Sequence, residues 1–180
     1  GVEAGEKVLY VTLLQTEKEI REIFASHGWS IDGIEIAELP KEIHQASTSP
    51  QTIFSTADIE LNEISDSIIE IIKEHQPTRV VIDSLSELYV LVDNPHQFRQ
   101  HLLKLKRILG DMNCTSIFTS GESQEDDLDH IKTILHGVVK LSYEIPAYGS
   151  IRRRLTILKM RGMVYRAGFH DFRIVRGGLQ

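Results

Sequence analysis

The 180 residues hold 41% hydrophobic and 26% charged side chains, the balance of a globular domain with a sizeable core. No apolar run approaches the ~20 residues of a bilayer span, and Glu3, Glu6 and Lys7 break the first one, so neither a membrane segment nor a secretion signal is expected. The net charge of −6 is unevenly spread: residues 151–180 carry eight Lys and Arg against one acid, and the preceding 150 carry twelve against twenty-five. The acidic body repels nucleic acid, while the basic end suits a phosphate, a polyanion or the acidic face of another copy.

In chain order, "EKVLYVTLL" (6–14) reads as a buried strand, and Thr16 with Glu19 forms a capping box opening "EKEIREIFASHG". Ile20, Ile23 and Phe24 make the apolar face of that helix, and Gly28 stops it. "GIEIAEL" (33–39) is a short strand with Ile34 and Ile36 on one side, and residues 40–57 have no period. Asp58–His75 is a helix with Leu61, Ile64, Ile68, Ile71 and Ile72 inward, ended by Pro77. "RVVID" is a strand finishing on Asp83, and Ser84 leads into a helical segment. Asn94 and Pro95 begin a helix through Asp111 with Phe98, Leu102, Leu105 and Leu109 inside. "CTSIFTS" (114–120) is a further strand, "ESQEDDLD" an acidic surface loop, and 129–135 a short helix. "GVVKLSYEI" and the alternating C-terminal end read as antiparallel strands. Helix–strand alternation followed by strands alone predicts one α/β domain over 1–180, with a mostly parallel sheet and an antiparallel C-terminal hairpin.

The lone cysteine, Cys114, forms no internal disulfide, suits a reducing cytoplasm and is expected as an inert core thiol. The eight histidines show no metal-ligand spacing, and "EDDLD" lacks the glycine and final glutamate of a calcium loop.

An acid at the end of a buried strand, as Asp83 is, has two readings: a helix cap, or an anchor for magnesium beside nucleotide phosphates. The second reading needs a glycine-rich loop with a lysine, and no Gly-Lys pair occurs in the 180 residues.

Three long collinear stretches nevertheless resemble the KaiC family of ATPases, within the RecA superfamily. "GEKVLYVTLLQTEKEIREIFASHGW" resembles the strand and helix after the phosphate loop. "RVVIDSLSELYVLVDNPHQFRQHLLKLKRIL" resembles the Walker B strand and its following helices, and "RRRLTILKMRGMVYRAGFHDFRI" resembles the C-terminal hairpin with its K-x-R-G element. The resemblance implies a RecA-like three-layer core lacking the first βα unit, which carries the Walker A loop. The strands flanking that unit are then expected to close on one another, or to be covered by a second copy.

The resemblance also assigns roles. Asp83 takes the position of the Walker B acid, catalytic through Mg²⁺, and is the metal residue. Ser120 takes that of a polar sensor for the terminal phosphate. Lys159, Arg161 and Asp171 take positions that reach the ATP of a neighbouring subunit. Leu14 and Gln15 stand where two adjacent glutamates are expected, with Glu17 as a substitute only if the frame slips; otherwise it is a first-turn acid favouring the helix dipole. Arg152, Arg153 and Arg154 read as a solvated strand end or an inter-subunit contact. ATP and Mg²⁺ are therefore the family's cofactors, self-association into rings is expected, and this chain is expected to bind neither cofactor. The alternative is a non-catalytic regulatory or interaction module on the same fold.

Overall fold

The computed structural model describes residues 1–39, 56–90, 95–121 and 129–180. They gather into two compact units, the first comprising Gly1–Glu22 and Ile31–Leu128, the second Ile23–Ser30 and Asp129–Gln180.

The first unit is built on four parallel strands: β1 (Val8–Thr12), β2 (Ile34–Glu38), β3 (Arg79–Asp83) and β4 (Thr115–Phe118), in the order β2-β1-β3-β4. Side chains alternate along each strand, so Leu9 and Val11 share a face with their partners Val80 and Ile82, and all four are buried. Two long helices supply the rest of this core: α2 (Thr56–His75) packs against both β1 and α4 (Pro95–Asp111). Leu61, Ile64, Ile68, Ile69 and Ile72 of α2 meet the same fate as Phe98, Leu102, Leu105 and Leu109 of α4, nearly complete exclusion from water. Each such side chain contributes about 1.5–3 kcal/mol. The periodicity of α4 is as expected; in α2 it is Ile69 rather than Ile71 that is fully buried, because the apolar stripe drifts around a helix of 3.6 residues per turn. β3 pairs directly with β4, from Arg79 opposite Thr115 to Ile82 opposite Phe118, so the ladder has no open slot among the described residues.

β1 is shorter than the apolar run that announced it. Thr12 Oγ1 accepts from the Gln15 N–H (3.0 Å) and donates to the Gln15 carbonyl (2.9 Å), which turns the chain and takes Leu13 and Leu14 out of the strand. The capping box then opens α1 (Glu17–His27): the Thr16 N–H donates to Glu19 Oε2 (2.7 Å) and the Glu19 N–H to Thr16 Oγ1 (3.3 Å). Gly28 ends the helix at φ 75°, with Gly28 N–H to Ala25 O and Trp29 N–H to Phe24 O, the paired bonds of a Schellman cap. A short helix, α3 (Leu85–Val90), follows β3. The aperiodic segment 40–55, the Asn94 cap and the acidic loop at 122–128 lie outside the described residues.

The second unit holds an antiparallel sheet of β5 (Gly137–Glu144), β6 (Arg152–Met160) and β7 (Phe169–Phe172), with β6 central. A small hairpin, β8 (Ile174–Val175) and β9 (Gly178–Leu179), completes it. α5 (Asp129–Lys132) is shorter than the stretch 129–135 expected. The Gly177 N–H of the hairpin turn donates to the His27 carbonyl (2.9 Å), and Trp29 stacks on His27 and meets Phe24 edge-on. Among the described residues no helix is long and apolar enough to cross a membrane.

Two outcomes follow. Thr16→Ala removes a cap and is expected to cost about 1 kcal/mol in urea unfolding, whereas Thr16→Asp restores most of it. Cys114 is half-buried, and that burial, offset in part by the nearby Arg79 guanidinium, pushes its thiol above the usual range. Its modification by a disulfide reagent at pH 7.5 is expected to be slower than that of a free thiol and to accelerate on unfolding.

Candidate functional site

Parallel strands bring their carboxyl ends to one edge of the sheet, where open α/β folds form binding crevices. Here that edge collects Thr12, Asp83 and Thr119 from β1, β3 and the end of β4. The alternation that buries Leu9 and Val11 directs Tyr10 and Thr12 to the opposite face, together with Val81, Asp83 and Ile117. That face is the less covered one, with Ile117 58% exposed.

Asp83 is the hub. One carboxylate oxygen, Oδ2, accepts from the Tyr10 hydroxyl, and the other, Oδ1, accepts from Thr119 Oγ1 at 2.6 Å. Its backbone carbonyl accepts from the Leu13 N–H at 2.8 Å. The Asp83–Ser84 peptide is cis, and α3 begins at once, held by Leu85 N–H to the Thr119 carbonyl (2.8 Å). Burial pushes the Tyr10 phenol well above its ordinary range, and the bond to the Asp83 carboxylate and the carboxylate's charge push it further. Tyr10 is therefore a persistent donor at neutral pH.

Ser120 does not reach Asp83. Its hydroxyl lies 3.2 Å from that of Ser86 in α3, and Ser86 Oγ also accepts from the Gly121 N–H at 2.7 Å. Thr119, one residue earlier, is the hydroxyl that meets the acid. Leu14 is 72% exposed, and the Gln15 backbone is occupied by Thr12. Neither residue offers a carboxylate. Glu17 is engaged with Arg21 one turn along α1, at 2.6 Å, and serves the first turn of that helix.

Mg²⁺ demands octahedral oxygen ligation and is held by one or two carboxylates together with water and phosphate oxygens. Asp83 brings a single carboxylate whose two oxygens already accept hydroxyl protons, and among the described residues no group of three His, Cys, Asp or Glu could hold a metal. These residues do not form a self-sufficient magnesium site.

The remaining candidates belong to the second unit. Lys159 Nζ donates to the carbonyls of Lys132 (2.7 Å) and Thr133 (3.2 Å), and Arg161 Nη2 donates to that of Thr133 (2.8 Å). Both cations thus meet at the carboxyl end of α5, Lys159 from β6 and Arg161 from the turn that follows it, so the shared direction comes from these carbonyls and not from strand alternation. Asp171 stands opposite Arg154 in the β6–β7 ladder and pairs with its Nε at 3.7 Å. Arg154 also reaches Glu144 (3.0 Å) and lies 5.3 Å from the centroid of the Phe169 ring, tying the three strands across one face.

Tyr10 and Thr119 are the residues that sequence reasoning did not single out; Arg154 was read only as part of the basic run 152–154, and its role is to brace the sheet. Tyr10 carries a signal in retrospect, a hydroxyl two positions before Thr12 and hence on its face, but the neighbouring strand is fixed only by the fold.

The Tyr10–Asp83 bond makes a pH-dependent contribution with a definite sign. The folded phenol keeps its proton above pH about 10, where an unfolded tyrosine ionises, so the folded state then binds more protons and stability falls as pH rises. Tyr10→Phe is expected to cost ~1–2 kcal/mol in urea unfolding at pH 8. Its deficit relative to the parent is expected to narrow between pH 10 and 11.

Three comparisons bear on this arrangement. The family model described as "ATPase: KaiC" matches residues 1–180. A UPF0273 protein of Thermotoga maritima is 27% identical over 189 residues, covering 99% of this chain and 76% of its own length. The circadian clock oscillator protein KaiC of Parathermosynechococcus lividus is 24% identical over 192 residues, 99% of this chain but 33% of that protein. The crystal structure of a KaiC-like protein from Pyrococcus horikoshii superposes with a TM-score of 0.72 at 24% identity, over 98% of this chain and 76% of that one, which establishes a shared fold. With the parallel sheet, the antiparallel C-terminal strands and a family match along its whole length, this chain belongs to the KaiC ATPase family.

Proposed function

We propose that residues 1–180 are a single KaiC-like, RecA-type domain that supplies the magnesium-side edge of an ATP site but does not hold MgATP by itself. The observation that carries this reading is the state of Asp83: its carboxylate is a cross-strand acceptor for Tyr10 and Thr119. The family resemblance adds that Leu14 and Gln15, just past the end of β1, stand where two acids are expected. Leucine has no proton acceptor, and glutamine orients water without taking its proton at neutral pH. When bound, a magnesium ion would neutralise phosphate charge; among this chain's residues Asp83 would face it, and Ser120 would face the terminal phosphate.

Lys159, Arg161 and Asp171 are proposed to act on the nucleotide of an adjoining subunit in a self-associated form. Their side chains are engaged within their own sheet and α5, so in that role they would use the N–H groups and carboxylate oxygen left over, or exchange a partner for phosphate or sugar. A second reading, a regulatory or interaction module that keeps the fold without the chemistry, is favoured by Leu14 and Gln15 specifically, because both are internal to the domain.

A calorimetric titration of these 180 residues with ATP and Mg²⁺ tests the proposal. No saturable binding is expected below about 1 mM. Magnesium-dependent affinity in the micromolar range, abolished by Asp83→Asn, would overturn it.

A further inference from the structure

The second unit contains a cleft that neither the Asp83 edge nor the Lys159–Arg161 pair accounts for. It opens where β6 starts and β7 ends, at the root of the β8–β9 hairpin, and its volume is about 1090 Å³. Arg152, Arg153 and Arg173 line it, with Ile151, Phe172 and Ile174 between them. Arg152 begins β6 and Lys159 lies seven residues further along it, so an extended strand puts the cleft roughly 20 Å from the Lys159–Arg161 end.

Three features define what fits. None of the three arginines forms an ion pair among the described residues; the acid in the cleft, Asp171, is instead paired with Arg154. Ile151 and Ile174 are 48% and 53% exposed, so the cleft also presents apolar surface to water. β7 is an edge strand: among the described residues no strand pairs with its outer side. The space lies just above the ~300–1,000 Å³ of pockets that enclose small molecules.

We infer that this cleft is a docking site for an acidic, extended peptide segment, one whose carboxylates alternate with apolar side chains. On a strand such a segment directs carboxylates to one face and apolar groups to the other. The guanidinium forks match carboxylates two bonds at a time, the apolar side chains cover Ile151 and Ile174, and the backbone adds to the β7 edge. A nucleic acid is the poorer occupant, because the cleft offers one aromatic ring, Phe172, for stacking, and a sugar-phosphate backbone has nothing to cover Ile151 and Ile174. This inference does not rest on nucleotide binding at the Asp83 edge; it shares with the proposed function only Asp171, which borders the cleft.

The probe is a fluorescein-labelled twelve-residue peptide of alternating Glu and Val, titrated with the 180-residue chain and followed by anisotropy. Saturable, salt-sensitive binding is expected. Arg153→Glu is expected to weaken it at least about tenfold, or ~1.4 kcal/mol, whereas Arg166→Glu, the same charge change outside the cleft, is expected to change it less than about twofold. Should Arg153→Glu fail to fold, Arg173→Gln on the exposed connection is read the same way, with a loss expected. Equal losses in the Arg153 and Arg166 variants would reduce the effect to general electrostatics and overturn the assignment. So would absence of binding, tighter binding of a twelve-nucleotide single strand, or light scattering showing the cleft closed by a second copy.

Discussion

One carboxylate between two hydroxyls organises the first unit. Asp83 ends β3, and by accepting from Tyr10 on β1 and Thr119 after β4 it links the three strands at their carboxyl ends. A half-buried carboxylate without donors is costly, so the pairing fixes the register of the strands as well as the position of the acid. The same edge anchors the loops: Leu13 hangs from the Asp83 carbonyl and Leu85 from that of Thr119. The apolar face of the sheet, packed under α2 and α4, makes the unit stable; the polar edge determines how its loops leave it.

What the sequence reveals depends on the distance over which each interaction acts. The Thr16–Glu19 box and the Gly28 cap are complete within a few residues, so composition and spacing are enough to identify them. The inner face of α4 is equally local, since helical periodicity alone sorts Phe98, Leu102, Leu105 and Leu109 from their neighbours. Tyr10 and Asp83 are 73 residues apart, and only the strand order β2-β1-β3-β4 makes them neighbours. The Thr119 contact was out of reach for a related reason: alternation decides which of the consecutive hydroxyls at 119 and 120 faces the acid, and the phase is set by pairing with β3. Leu13 and Leu14 looked like strand because they are apolar, but the Thr12 hydroxyl turned the backbone first.

The second unit is governed by guanidinium chemistry. Arg154 is central in both sequence and space, with Glu144 on one side, Asp171 on the other and the Phe169 ring below. A planar fork of five N–H donors can serve several partners at once, which an ammonium does less well. The basic run 152–154 therefore divides its labour: Arg154 braces the sheet, while Arg152 and Arg153, on alternate faces of β6, both border the cleft at the strand's start.

Lys159 and Arg161 clasp the last carbonyls of α5, neutralising the partial negative charge that gathers at a helix end. A cation so occupied keeps further N–H groups for a second acceptor, but its reach is tethered to those carbonyls. The folding of that single turn and the reach of both side chains thus become one thermodynamic variable: whatever draws the pair beyond that tether loosens α5, and whatever braces α5 holds the pair back.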